Sequence, residues 1–310
     1  MVRKIIVKKV LTDEQTKKLE GTRLPKGYFK KVIKKENVDI YTDEGELLLK
    51  YRHNVLPKHN VELAYNNIIS HARKLTSTRG MFGGPKSKSK NTKVATNIVG
   101  YFDTLSMKQK QILREANMKL PKCRPTAFNI DNPKEWEKFV PFIQDINNQY
   151  KKLFPKEYEI QKKDIKNNKY IINNTIYSTI TTNLNVHGAV HTDKGDYSKG
   201  FGNLVVIDKG NYKGGFTGFP QYGVAVDVRS GDFVGMDVHK HHGNEPIICK
   251  KGVECERLSF VSYLREGIIK NCKNEPMIPY DYFKQAKKTV NKKRSKRRLK
   301  EKNRKKSNRK

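Results

Sequence analysis

The chain has 310 residues, enough for one large domain or two ordinary ones, and 65 Lys or Arg stand against 31 Asp or Glu for a net charge of +34. No stretch approaches the ~18 uninterrupted apolar residues of a membrane span, and the opening MVRKIIVKKV is too short and too charged for a secretory signal, so a soluble intracellular monomer is expected. The four cysteines, Cys123, Cys249, Cys255 and Cys272, have no CxxC spacing, which argues against a zinc site and, in that compartment, against a disulfide framework.

Residues 1–57 read as short strands and turns, with VDIYTDEGELLLKYR forming a hairpin around Asp43-Glu44-Gly45. Helical periodicity appears in VELAYNNIISHARKL (61–75). RGMFGGPKSKSKNTK (79–93) reads as a mobile basic loop. Helices are expected at 105–118, behind a Thr104 or Ser106 cap, and at 133–153, where Pro141 would kink or divide the pattern. From about 158 the pattern turns to strands: YIINNTIYSTITTNLNVHGAV, NLVVI, GVAVDV, DFVGMDV and RLSFVSYL, separated by Gly-rich turns. With no helix expected across that stretch, the core is an antiparallel barrel or sandwich. A short helix (YFKQAKKTV) leads into 287–310, which holds fifteen Lys or Arg against one Glu and is too charged to fold alone. The rest of the chain still carries +20, so a polyanion, most simply DNA, is the expected partner.

The chemistry concentrates in NLNVHGAVHTDKGD (183–196). On an extended strand Asn183, Asn185, His187, Ala189, His191 and Asp193 would share one face, and His191 and Asp193 could reach one cation. Downstream, GDFVGMDVHKHHGNEPI (231–247) offers His239, His241 or His242 to complete a two-histidine, one-carboxylate facial triad, a set that holds Fe(II) and leaves positions open. Fifteen residues beyond His242, RLSFVSY places Arg257, Ser259, Val261 and Tyr263 on one strand face. An inward arginine is costly unless it meets an anion, and a guanidinium with Ser259 beside it can grip a carboxylate such as that of 2-oxoglutarate.

In that order the motifs TTNLNVHGAVHTDKGDYSKGFGNL, GGFTGFPQYGVAVDVRSGDFVGMDVHKHHGN and RLSFVSY resemble the oxygenase domain of the TET and J-binding protein (JBP) family, and GYFDTL (100–105) resembles an upstream part of the same pattern. The resemblance implies an α+β fold around a double-stranded β-helix (jelly-roll) core spanning 158–270. It places an N-terminal α/β flanking region (1–157) before the core, and a short helix (271–286) and basic disordered tail (287–310) after it. It implies a dioxygenase that oxidises the 5-methyl group of thymine or 5-methylcytosine in DNA. By the same resemblance His191, Asp193 and His242 bind iron, Arg257 anchors 2-oxoglutarate with Ser259 and His187 nearby, and Asp196 faces the base. Arg265 and the aromatics of GGFTGFPQYG, Phe219 and Tyr222, are further substrate candidates. A related oxygenase acting on protein or RNA, or a catalytically dead nucleic-acid-binding protein, is the alternative.

Overall fold

In a computed structural model, residues 2–77 and 93–307 are described, with side chains to Glu301. The main element is a nine-stranded sheet in the order Arg3–Val7, Val38–Thr42, Leu47–Arg52, Phe233–Met236, Gly202–Lys209, Glu256–Tyr263, Thr179–Leu184, Thr96–Phe102 and Arg124–Pro125. All its pairs are antiparallel except the edge pair of Arg3–Val7 with Val38–Thr42. A four-stranded sheet of Gly243–Asn244, Thr217–Phe219, Val224–Val226 and Lys31–Ile33 faces it. Leu204, Val206, Val234 and Met236 from the first sheet pack with Phe219, Val224 and Val226 from the second in one apolar layer. The molecule is thus α+β with a jelly-roll core whose two sheets stay separate; they do not close into a barrel.

The outer face of the large sheet is covered by helices Lys58–Ala72 and Pro133–Leu153. In the latter, Trp136, Phe139, Phe142, Ile143, Ile146 and Tyr150 are buried at helical spacing, and Phe139 and Phe142 both meet Phe260 of the central strand. The helix runs unbroken through Pro141, whose ring replaces a single backbone hydrogen bond in a helix pinned on both sides of it by these aromatics. Helix Met107–Ala116 starts where Ser106 and Gln109 form a reciprocal capping box.

Four expectations are revised. Helix Pro155–Asp164 runs past the boundary expected at 157, and the first part of the chain supplies five strands of the large sheet, so residues 1–157 build the core as well as flank it. The strand expected through 193 ends at Leu184, because Asn185 takes a left-handed φ of 52° that breaks the alternation. The C-terminal helix extends from Tyr282 to Ser307, with Phe283, Ala286 and Val290 buried against Leu105, Leu113 and Ala116; this apolar foothold starts a helix that good helix formers continue into the charged run. The cysteines form two pairs, Cys123–Cys272 and Cys249–Cys255, with Cα separations of 6.0 and 5.6 Å; the first joins positions 149 apart, which spacing alone cannot reveal. The basic segment read as a loop over 79–93 lies, apart from Lys93, outside the described residues. Among the described residues no helix is long and apolar enough to cross a membrane.

Candidate active site

Between the sheets lies a cavity of about 510 Å³, within the range of small-molecule sites. Its wall is written largely by alternation. Arg257, Ser259, Val261 and Tyr263 all line it, as period two requires, and Asn183 and Thr181 join them from the neighbouring strand, paired directly with Ser259 and Val261.

His191 and His242 come together by backbone pairing. Each donates its N–H to the other's carbonyl at 3.0 Å, and two residues on, the Asp193 N–H reaches the Val238 carbonyl at 2.9 Å. The segment 191–196 is thereby laid along 238–242 on one side. On the other side Tyr197 donates to the Leu264 carbonyl at 2.8 Å and Glu266 to the Gly195 carbonyl at 3.1 Å. Two histidines and an aspartate meet because this loop is stitched between two strand ends, and a continuous strand is not needed.

The ligating atoms of His191, Asp193 and His242 all lie within 4.8 Å of one another, and no other group of three His, Cys, Asp or Glu among the described residues does so. Nδ1 of His191 lies 2.8 Å from the Ala189 carbonyl, and Nδ1 of His242 lies 3.0 Å from the Lys240 carbonyl. Such a carbonyl fixes the proton on Nδ1 and leaves the Nε2 lone pair for a metal. Both Nε2 atoms point at the Asp193 carboxylate, at 3.4 and 3.7 Å. Burial, with the His191 ring beside it, pushes His242 down to about 4, so its imidazole is neutral. The donor set therefore fits an iron ion, with two imidazole Nε2 atoms and a carboxylate on one side and an open cavity on the other. His239 is exposed, with its backbone capped by Asp237, and His241 stands outside the cluster.

Across the cavity Arg257 is only 4% exposed, and its Nε has no partner. Among the described residues its guanidinium makes one long hydrogen bond, 3.4 Å to Thr217 Oγ1. Burial, aided by the like charge of Arg229, lowers its pKa; both effects disfavour a cation with no anion in contact. Gly215, at φ +71°, is needed here: a Cβ would stand 2.9 Å from the Arg257 Cδ. A buried guanidinium left unpaired in this way fits the carboxylate of 2-oxoglutarate. Ser259 lies on the same wall with Oγ 3.4 Å from the Asn183 carbonyl, and the side-chain carbonyls of Asn183 and Asn203 are buried without partners.

At the other end Asp196 has one buried, unpartnered carboxylate oxygen. Burial holds this carboxyl well above the usual range, and Asp193 adds to the effect against Arg265. Arg265 faces Asp196 across a backbone bridge, donates from Nε to Asp103 at 2.6 Å, and lies over the Phe102 ring at 4.2 Å. Asp103 in turn sits so close to Gly267 that a Cβ there would meet its Oδ2. Asp103 and Phe102 went unassigned in the sequence, although GYFDTL was the signal that could have found them. Thr217 gave none, since its role arises only when the two sheets face each other.

Three expected residues do not reach the cavity. Phe219 is fully buried and Tyr222 nearly so, both packed in the layer between the sheets. GGFTGFPQYG is strand and 3-10 turn, not a lip, because Thr217–Phe219 pairs on both edges. His187 follows the break at Asn185 and does not line the cavity; its Nε2 is buried without a hydrogen bond.

Residues 112–266, half of the chain, match the Tet_JBP family, described as the oxygenase domain of the 2OGFeDO superfamily, the 2-oxoglutarate- and Fe(II)-dependent dioxygenases. The chain belongs to the TET/JBP family. Similar relatives include the bifunctional helicase and thymine dioxygenase JBP2 of Trypanosoma cruzi, 34% identical over 186 residues, covering 57% of this chain and 15% of that protein. The thymine dioxygenase JBP1 of Crithidia fasciculata is 30% identical over 239 residues, covering 74% of this chain and 27% of that protein. The chain thus spans well under a third of the length of either relative. Among solved structures, NgTET1 in complex with 5mC DNA has the same fold, with a TM-score of 0.53 at 15% identity over 84% of this chain and 94% of that one. The TET/JBP chain described here therefore has the family's fold and an iron-competent donor set within one cavity.

Proposed function

We propose that this chain is an Fe(II)- and 2-oxoglutarate-dependent dioxygenase that oxidises the 5-methyl group of a pyrimidine in DNA to hydroxymethyl, releasing succinate and CO2. The observation that carries the reading is the cluster of His191, Asp193 and His242 in the same cavity as the unpaired Arg257. His191 and His242 would hold iron through Nε2 and Asp193 through its carboxylate. Bound there, iron and 2-oxoglutarate supply the oxidising equivalent, with O2 reduced as the keto acid is decarboxylated and one oxygen atom entering the substrate C–H bond.

The protein's own residues orient and exclude. Arg257 takes the far carboxylate of 2-oxoglutarate by charge-assisted hydrogen bonds, with the Thr217 and Ser259 hydroxyls beside it. Val261, Met236 and Val238 give the cavity an apolar lining, which limits water at the reacting carbon. Asp196 and Arg265 stand where the polar edge of a base would enter. A methyl group inside a duplex cannot reach a cavity between two sheets, so the base must leave the stack, at a cost of a few kcal/mol recovered in the pocket. The thymine dioxygenase names of the relatives at 30–34% identity support thymine as the base.

The reading is tested by incubating the protein with Fe(II), 2-oxoglutarate and duplexes carrying thymine or 5-methylcytosine, then digesting the DNA and weighing the nucleosides. A gain of one oxygen, matched by succinate, is expected. Succinate release stimulated by a peptide or an RNA and by neither duplex would assign the site to another substrate.

A further inference from the structure

The apolar foothold of the C-terminal helix ends at Val290, yet the helix continues. Residues 291–301 are exposed on every side and hold seven Lys or Arg against Glu301 alone. Four like-charged pairs sit at helical i,i+4 spacing: Lys292/Lys296, Lys293/Arg297, Arg294/Arg298 and Lys296/Lys300. Each disfavours the helix, and no apolar face offsets them. The acidic contact recorded for this stretch is Glu115, which accepts from Arg294 at 2.9 Å while its carbonyl accepts from Lys293 at 2.8 Å. That contact steers the helix along Met107–Ala116. The chain just before that helix carries Phe102 and Asp103, which bear on Arg265 at the cavity. A cationic rod, rigid at its base, is thus tied to the wall of the site by one short segment.

We propose that residues 291–301 form a duplex-DNA backbone clamp, separate from the pocket that takes the base. The inference rests on the DNA reading of the site and adds a second binding surface to it. Eleven helical residues span about 16 Å, over which a duplex presents roughly ten phosphate charges on its two strands. A helix turns only part of its surface to one partner, so three or four of the seven cations contact phosphate at once. Phosphates between them relieve the like-charge pairs, so bound DNA strengthens the helix. The contacts are sequence-blind, and they position the duplex without reading it.

The test measures binding of an unmodified duplex, without iron or 2-oxoglutarate, across a salt series. The full chain is compared with a truncation after Val290 and with the quadruple variant Lys292→Gln, Lys296→Gln, Arg297→Gln, Arg298→Gln, which leaves the Glu115 contacts in place. Both variants should bind at least tenfold more weakly at 0.1 M salt. In the quadruple variant the slope of log K against log salt should lose about three units, since each phosphate contact contributes about 0.9, and the truncation, which also removes the six Lys or Arg of 302–310, should lose at least as much. Thermal melting should stay within a few degrees of the full chain. An unchanged affinity and slope in the quadruple variant overturns the clamp, including where the truncation alone weakens binding. Because no turnover is measured, failure of the oxygenase reading would leave this result untouched, and the reverse also holds.

Discussion

Arg257→Met separates a functional arginine from a structural one, because the two roles predict opposite signs. The guanidinium is buried, its Nε is unsatisfied, and it forms no ion pair among the described residues. Without cosubstrate the protein therefore bears an uncompensated buried cation, and a well-packed apolar group of similar length is neutral or stabilising by about 1–3 kcal/mol. Methionine keeps the unbranched stem that packs on Gly215 and removes the charge. With 2-oxoglutarate present the sign reverses. Losing one partner of a buried charge pair costs 2–5 kcal/mol, so about 3 kcal/mol weakens 2-oxoglutarate binding by roughly 150-fold. The assay is thermal melting at fixed metal and increasing 2-oxoglutarate. The unsubstituted protein should gain stability as ligand rises, while Arg257→Met should start at an equal or higher melting temperature and respond little. A variant that melts several degrees lower without ligand, yet responds normally to it, would show that Arg257 serves the fold and would refute the argument.

Other expectations follow from the same geometry. His191→Ala and Asp193→Ala should each lower turnover at least a thousandfold while duplex affinity stays within about twofold, since both side chains line the cavity proposed for iron and base; full activity in either would remove it from the ligand set. Asp103→Asn removes the charged partner of Arg265, a bond of about 1.5–3 kcal/mol, and should raise KM for DNA roughly tenfold without changing 2-oxoglutarate affinity. An unchanged KM would leave Arg265 without a substrate role. Burial lowers His71 from 6.5 to about 4 beside Phe128, so between those values the unfolded chain binds a proton that the folded chain does not. Stability is full above pH 6.5 and falls with acid across this window, by at most about 1.4 kcal/mol per pH unit. In His71→Leu, denaturant melts from pH 7 to pH 4.5 should show a shallower loss; an identical slope would assign the acid sensitivity elsewhere.

What the sequence disclosed depended on how locally each feature is encoded. Alternation along 257–263 placed four side chains on the cavity wall, and it could do so because that strand is central and paired on both edges. The same rule failed at Asn185, where a short polar side chain tolerates a left-handed backbone and the strand stops. His191 and Asp193 nevertheless met His242, through loop-to-strand hydrogen bonds that have no signature in spacing. Phe219 and Tyr222 looked like a lip because glycine and aromatics mark loops and small paired strands alike. The ion pair of Asp103 with Arg265 spans 162 positions, and Thr217 reaches Arg257 across 40, so neither was visible before the sheets were assembled. The C-terminal helix exposed a different limit: charge density argued for disorder, while the three apolar residues that anchor it sit at its very start.

Anaerobic titration of the protein with Fe(II), followed by calorimetry, tests the proposed site most directly. One ion per chain is predicted for the unsubstituted protein, for His239→Ala and for His241→Ala, with uptake lost in His242→Ala. Undiminished uptake by His242→Ala, or its loss in either neighbouring variant instead, would contradict the three-cornered site on which the oxygenase reading stands.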